Sequence, residues 1–480
     1  MDHIMNVNKE WFLDRVKACW TGKNIGGTMG APFEGKVEMQ DIDGFTTAKG
    51  EPLPNDDLDL QLIWLKAVEE RGIQNITSIM LGEYWTSYIS AHWNEYGIGK
   101  ANLKNGILPP FCGEYQNEKW KNSNGAWIRT EIWACLFPGY PELAVRYAYK
   151  DACIDHGISN GTYAAMFVAA LESAAFFEND ILKLIDIGLS FVPEDCKLAK
   201  TVRMAIDLYN EGKTLAEARN AIVKFNEDLG VFQAPANVSY VVLGLLYGEG
   251  DYKKSMISAI NCGDDTDCTG ATIGSIMGIM GGMEVVPEDW SEYIGDRIIS
   301  VAIDKSAHFL PVSCTELTER VFTLMPAVLK AYNTNVFYGD GETTLDEEGP
   351  YEKVRSMDIP TNPYTYDEIA DLKHTKVRVE FDKAPVIAPG ETIKMTVLFR
   401  NSLMEPRNIA VKLHLPEGWT ANYRRHLRVD HLAHMDRETA CPLVAEITAG
   451  ENVEMINKVY VEVKAEGRPT DGMIPVTILG

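Results

Sequence analysis

Over roughly the first 330 residues, apolar side chains recur at spacings of three and four. Trp11, Phe12, Val16 and Cys19 fall on one helical face, and Leu58, Leu62, Ile63 and Leu65 repeat the pattern. Met166, Ala169, Ala170 and Ala174 put small residues at the same spacing. Asp207–Phe225 reads as one further helix, and Gly270–Gly282 as one rich in small residues. Strand patterns are scarce here, and Met1–Glu10 reads as a polar lead into the helix at Trp11–Ala18. After residue 374 the period becomes two. Val377, Val379 and Phe381 alternate with Lys376, Arg378 and Glu380, and Ile409, Val411, Leu413 and Leu415 alternate with polar neighbours before the turn Pro416-Glu417-Gly418. Val459, Val461 and Val463 alternate with Lys458, Glu462 and Lys464, and turns fall at Pro389-Gly390 and Ala449-Gly450. Short strands so spaced predict an antiparallel β-sandwich. Between the two patterns, Asn335–Leu372 carries Gly339, Gly341, Gly349, Pro350, Pro360 and Pro363 and reads as a linker. The expected organisation is a helical domain over 1–335, a linker over 336–372 and a β-sandwich over 373–480.

Composition narrows the function. The 480 residues include 45 basic and 69 acidic side chains, a formal charge of −24, with 46% hydrophobic residues. That hydrophobic fraction suits globular domains with real cores. The charge is uneven: residues 371–480 hold 15 basic and 15 acidic side chains, which leaves 30 against 54 in the first 370. Phosphate contacts need Lys and Arg, so the balance argues against a nucleic-acid partner, and equally against an anionic membrane. No apolar run reaches the roughly 18–20 residues of a membrane-spanning helix. No secretory signal is legible at the start of the sequence, so a cytoplasmic location is expected. The nine cysteines are scattered without a CxxC, the pattern of buried, reduced thiols and not of a disulfide scaffold or a zinc knuckle.

Two acidic clusters stand where a loop enters an apolar helix. One is Asn55-Asp56-Asp57, and the other is Asp264-Asp265-Thr266-Asp267-Cys268. A single Asp there is an ordinary N-cap favoured by the helix dipole. Five carboxylates in Asp56–Asp57 and Asp264–Asp267 exceed what capping explains, because adjacent like charges repel. A bound divalent cation removes the repulsion, and carboxylate oxygens suit Mg²⁺, Mn²⁺ or Ca²⁺. A third segment, Gly22 to Gly35, has glycines at 22, 26, 27 and 30, a spacing that permits close helix approach, and ends at Glu34-Gly35. It lacks both GxGxxG and a GK[ST] ending, so it is no phosphate loop.

In this order the three segments resemble the ADP-ribosylglycohydrolase family: a Gly/Ala-rich first helix ending in Pro-x-Glu-Gly, an Asp pair opening a helix, and a late Gly-x-Asp-Thr-Asp. Asn124-Gly125-Ala126-Trp127-Ile128-Arg129 looks like the family's Gly-Ala-Met-Arg segment. Asp155-His156 followed by Thr162–Phe176 looks like its Thr-His segment. The likeness extends over about residues 10–300. It implies an all-α orthogonal helical bundle around one or two divalent cations, most often Mg²⁺. It implies Asn55, Asp56, Asp57, Asp265 and Asp267 as metal ligands, and Glu34, Asp57 and Asp265 as catalytic residues. His156, Asn124 and Gly125 are implied as substrate-binding. The implied reaction is hydrolysis at an anomeric carbon of an ADP-ribosyl, nucleoside-like or related small glycoside. Ala388-Pro389-Gly390-Glu391, Leu398-Phe399-Arg400-Asn401 and Leu415–Trp419 resemble an immunoglobulin-like domain of the kind appended to carbohydrate-active enzymes, with Trp419 expected in its core.

The sequence departs from the family pattern at three places. Asn55 replaces Thr before the Asp pair, Cys268 replaces Thr after the late Asp-Thr-Asp, and Gly26-Gly27 replaces Gly-Asp. A thiol is a poor Mg²⁺ ligand. The competing expectation is a catalytically silent binding or structural protein of the same fold. The retained Glu34, Asp56, Asp57, Asp265 and Asp267 weigh against it, since unused buried carboxylates are costly.

Overall fold

The computed structural model describes residues 3–304, 306–345, 359–360, 362–367, 375–401, 403–430 and 441–480. Among them, sixteen α-helices make up most of the N-terminal lobe. They are α1 Lys9–Gly30, α2 Asp56–Arg71, α3 Ser78–Tyr88, α4 Asn94–Lys104, α5 Phe111–Glu114, α6 Glu131–Leu136, α7 Pro141–His156 and α8 Asn160–Ala174. The series continues with α9 Ile181–Ser190, α10 Lys197–Asn210, α11 Leu215–Phe225, α12 Ala234–Gly248, α13 Tyr252–Ile260, α14 Thr266–Gly281, α15 Glu288–Ile294 and α16 Cys314–Lys330. Two antiparallel β-sheets follow. This is the mostly helical domain and β-sandwich that the sequence predicts.

The helix expected over Asp207–Phe225 is two helices, α10 and α11. Gly212 takes φ +73° between them, and Thr214 then opens α11 with a capping box in which its side chain and that of Glu217 each meet the other's backbone N–H.

The spine of the helical lobe is the antiparallel pair α1 and α14. Gly22 lies against Gly274, Gly26 against Gly270 and Gly30 against Thr266, one contact per turn. A Cβ on Gly26 would stand 2.0 Å from the Gly270 carbonyl, so only glycine lets these backbones touch. This registry brings the C-terminus of α1 to the N-terminus of α14.

Three short strands tie the ends of this lobe together. β1 (His3–Val7) pairs in parallel with β2 (Thr334–Tyr338) and antiparallel with β3 (Thr344–Leu345). Met5 and Val7 are buried while Ile4 is exposed, a two-residue period too short to stand out in the sequence. The stretch expected as linker therefore begins as strand, and its residues 346–358, 361 and 368–372, with Gly349 and Pro350, lie outside the described residues.

The second lobe comprises β4 Thr365–Asp367, β5 Thr375–Phe381, β6 Thr392–Asn401, β7 Arg407–His414, β8 Thr420–Tyr423, β9 His426–Val429, β10 Cys441–Thr448, β11 Ile456–Ala465 and β12 Gly472–Leu479. One sheet runs β4-β5-β6-β10-β8 and the other β12-β11-β7-β9. Val377, Val379, Phe381, Ile409, Val411, Leu413, Val459, Val461 and Val463 are all buried, as the alternation requires. Trp419 is also core, its indole N–H donating to the Asn452 carbonyl at 3.2 Å. The two lobes share apolar surface: Ile107, Phe111 and Cys112 belong to the sandwich core cluster, and Phe111 meets Tyr364 edge-on at 5.5 Å.

The eight cysteines whose side chains are described are free, and all but Cys196 are buried. No single helix among the described residues is long and apolar enough to cross a membrane.

Candidate active site

Two helix N-termini converge where α1 ends. At the first, Asn55 takes extended backbone and its side-chain oxygen accepts the Asp57 N–H at 2.7 Å, which starts α2 and sets Asp56 and Asp57 in its first turn. Asp59, one turn on, anchors this end by accepting the N–H groups of Val301 and Ala302. At the second, Asp264 sits at φ +67° with its carboxylate accepting from Phe232 N–H at 2.8 Å and from Asn237 Nδ2 at 3.2 Å. It thereby shapes the loop, and Asp265 and Asp267 follow in the opening turn of α14. Glu34 arrives on the turn after α1, held by backbone bonds between Gly35, Lys36 and Asp264.

The oxygens of Glu34, Asp265 and Asp267 lie within 4.8 Å of one another. So do ligand atoms of Asp57, Asp267 and Cys268. Asp56 Oδ2 accepts from the Tyr96 hydroxyl at 3.0 Å, Asp265 Oδ2 from Asn124 Nδ2 at 2.6 Å, and Asp57 Oδ1 from the Cys268 thiol at 3.5 Å. Asp57 Oδ2 and Asp267 Oδ1 are buried with no hydrogen-bond partner. Glu34 alone is exposed and stands at the rim.

So many carboxylates raise one another's proton affinity. The Asp267 charge, then burial, then Asp56 lift Glu34 to about 7. Burial and the Asp267 charge raise Asp56, and burial drives Asp57 and Asp265 well above the usual carboxylate range. Burial also raises the Cys268 thiol, with help from Asp265 and Asp267.

The donor set fits a divalent cation. Asp57 and Asp267 each have a buried oxygen without a partner and offer ligand atoms within 4.8 Å of one another, and a cation there would cancel the repulsion that raises these groups. Asp56, Asp57, Asp265, Asp267 and Glu34 are the oxygens that would hold it. Asn55 Oδ1 is already engaged with the Asp57 N–H.

Beneath the carboxylates lies a buried network absent from the sequence reading. Lys23 Nζ lies 2.6 Å from Glu131 Oε1, and Gln61 Nε2 donates to both Glu131 Oε2 and the Asp57 carbonyl at 2.8 Å. Burial alone would lower the Lys23 ammonium, yet Glu131, Asp57 and Glu172 hold it above its ordinary value. These carboxylates thus favour the charged form of Lys23 beside Asp57. Nothing in the sequence singles it out, because one Lys in a helix reads as surface.

The residues expected to contact substrate have internal duties. Asn124 spends its amide on Asp265 and its carbonyl oxygen on Trp127 Nε1 at 3.0 Å. Gly125 is covered by Glu95 and Tyr96, where a Cβ would stand 2.4 Å from Glu95 Oε1. His156 is fully buried, with Nδ1 2.8 Å from Asp155 Oδ1 and Nε2 3.3 Å from Ser123 Oγ. Asp155 also receives Arg129 through two nitrogens at 2.8 and 3.0 Å. Burial would raise Asp155, but Arg129 and His156 hold it at about 2. Asn124 and His156 are thus buried among other residues of the chain, and Gly125 is covered. Trp93 is 45% exposed, its ring centroid 6.1 Å from that of Tyr96, whose hydroxyl bonds Asp56.

Residues 8–320 match the family model for ADP-ribosylglycohydrolase. The chain belongs to the ADP-ribosylglycohydrolase family. As a member of that family it is expected to be a glycohydrolase-type hydrolase acting on a small-molecule substrate, and the family is generally dependent on divalent metal. Among solved structures, an ADP-ribosylglycohydrolase-related protein complex is similar at 17% identity over 67% of this chain and 99% of that one, with a TM-score of 0.44. Two others match 22% of this chain. A FixG-related protein from Vibrio parahaemolyticus does so at 7% identity, over 95% of its own length, with a TM-score of 0.19. The GAE domain of GGA2p from Saccharomyces cerevisiae does so at 14% identity, over 89% of its length, with a TM-score of 0.16. No curated protein matches significantly. The acidic cluster, the Lys23 network and the Arg129 network all lie inside the matched span.

Proposed function

We propose that this chain is a divalent-cation-dependent glycoside hydrolase that cleaves the anomeric bond of an ADP-ribosyl, nucleoside-like or related small glycoside. The observation that carries the reading is the pair of buried, partnerless oxygens, Asp57 Oδ2 and Asp267 Oδ1, between two helix N-termini. A bound divalent cation would supply a Lewis acid that fixes sugar hydroxyls and lowers the pKa of water.

The chain's own residues supply the rest. Glu34, at the rim and within 4.8 Å of Asp265 and Asp267, takes and returns the proton of the attacking water. Asp56, Asp57, Asp265 and Asp267 hold a negative field that favours an oxocarbenium-like transition state. Asn124 aims Asp265, and Tyr96 aims Asp56, through the hydrogen bonds described above. Lys23 and Gln61 lock the first turn of α2 from below. Trp93 offers an aromatic face to a ring of the substrate at the edge of the cluster. Catalysis is assigned to the helical lobe, in which all of these residues lie.

The test is a product assay. The full chain is incubated with Mg²⁺, or with chelator, against ADP-ribosylated peptides, nucleosides and simple glycosides, and released sugar is followed by chromatography. Chelator-sensitive release from one class supports the proposal and names the substrate. Release that chelator leaves unchanged overturns the role given to the cation.

A further inference from the structure

The acidic cluster divides into two chemically unlike halves. Glu34, Asp265 and Asp267 offer oxygen only, whereas Asp57, Asp267 and Cys268 offer two carboxylates and a sulfur, all within 4.8 Å. The sulfur is not a remote neighbour: its thiol donates to Asp57 Oδ1 at 3.5 Å, and it stands one residue beyond Asp267 on the opening turn of α14. Two further observations point to a ligand in this half. Asp57 is 0% exposed and leaves Oδ2 without a partner, and Asp267 is 7% exposed and leaves Oδ1 without one. Each is a buried acceptor of the kind that a folded chain pairs unless something else occupies the space.

Sulfur changes which ion gains most. Mg²⁺ requires a near-octahedral shell of oxygens and draws little from a thiol. Zn²⁺ and Co²⁺ accept mixed sulfur and oxygen ligands in four-coordinate shells, and bind the thiolate strongly enough to displace its proton.

We propose that Asp57, Asp267 and Cys268 form a mixed carboxylate–thiolate site that selects Zn²⁺, or the chemically similar Co²⁺, over Mg²⁺. On binding, the Cys268 S–H bond breaks, its proton goes to solvent, and the sulfur lone pair forms the bond to the ion. No oxidant or reductant takes part. The proposal rests on the reading of this cluster as the cation centre, and deepens it by naming the class of ion.

The experiment uses untagged, metal-stripped full-length protein titrated with Co²⁺ and followed by absorption spectroscopy. The expected result is a near-ultraviolet sulfur-to-cobalt charge-transfer band that Zn²⁺ abolishes and excess Mg²⁺ does not. Cys268→Ser and Asp57→Asn should each lose the band. Calorimetry should give Zn²⁺ affinity at least about tenfold weaker in Cys268→Ser than in the wild type, equivalent to about 1.4 kcal/mol. Mg²⁺ affinity should be unchanged or tighter. Co²⁺ binding without a charge-transfer band, with equal Zn²⁺ affinity in wild type and Cys268→Ser, overturns the thiolate site and leaves the cation centre standing. Absence of any divalent binding that Asp57→Asn removes overturns both. Because the band is read in the wild type, a variant that fails to fold does not shield the proposal.

Discussion

The amide of Asn55 occupies the space that a side chain on residue 27 would need. A Cβ on Gly27 would stand 2.0 Å from Asn55 Nδ2. Gly27 and Asn55 are thus sterically linked: the missing side chain on α1 admits the Asn55 cap of α2.

Gly27→Asp should consequently be disruptive alone and tolerated together with Asn55→Thr. The single change is expected to cost about 2 kcal/mol or more through overpacking. Asn55→Thr retains an N-cap oxygen and should cost well under about 1 kcal/mol. Denaturant unfolding of the four proteins gives the coupling energy. Additive effects would show that the Asn55 side chain moves aside without cost.

Asp57→Ala and Asp265→Ala should each reduce turnover by about 10²–10³-fold or more while the circular dichroism spectrum stays native. Full activity in both would refute the placement of the site.

Asp57→Asn separates electrostatic cost from function. In chelator, burial outweighs the favourable Lys23 charge, and the Asp267 and Asp56 charges add to the cost of ionised Asp57, so Asp57→Asn should melt no lower than the wild type. With a binding cation present the order should reverse, because only the wild type gains the ligand's stabilisation. Melting curves under the two conditions are the check.

Trp93→Ala should raise KM by roughly tenfold with little change in kcat, the mark of a contact made equally to substrate and transition state. Steady-state kinetics on whichever glycoside the product assay identifies will read it, and an unchanged KM would remove Trp93 from the binding surface.

Glu142 gives a pH dependence outside the site. Burial in the first turn of α7 lifts its carboxyl to about 7, and Oε2 has no partner. The folded state therefore holds this proton longer than the unfolded chain does. Stability from the group is fully present below the unfolded value near 4.5 and is lost as pH rises through about 7. Glu142→Gln should stabilise the fold at pH 8, by roughly 3 kcal/mol at most, and leave stability nearly unchanged at pH 4.5. An equal shift at both pH values would mean the effect is packing and not ionisation.

The readable parts of the sequence were those with a local cause. Asp56, Asp57, Asp265 and Asp267 are legible because capping accounts for too few of them, and the glycines of α1 because they repeat once per turn. The sandwich is legible because Val377, Val379 and Phe381 alternate. What stayed hidden depends on partners far along the chain. β1 owes its existence to β2, more than 300 residues away, and Lys23 is buried only because Glu131 meets it. The resemblance alone places His156 in the cleft, and nothing local in the sequence tells which way a histidine at the end of α7 faces; its ring is buried beside Asp155. The α10–α11 break was available in Gly212 and the Thr214…Glu217 box, but the apolar spacing on either side obscured it.

The glycine-to-glycine seam between α1 and α14 has a consequence for biosynthesis. Gly22 and Gly274 are separated by about 250 residues, and a ribosome adding about 5–20 residues per second needs on the order of 10–50 s to span that interval. Throughout it the grooved face of the first helix has no mate, and the first pair of aspartates stands without the second. The centre is completed late in translation, so a nascent chain carries this grooved surface unpaired through most of the synthesis of the helical lobe, and a chaperone that shields Gly22–Gly30 would act on a segment with a long wait.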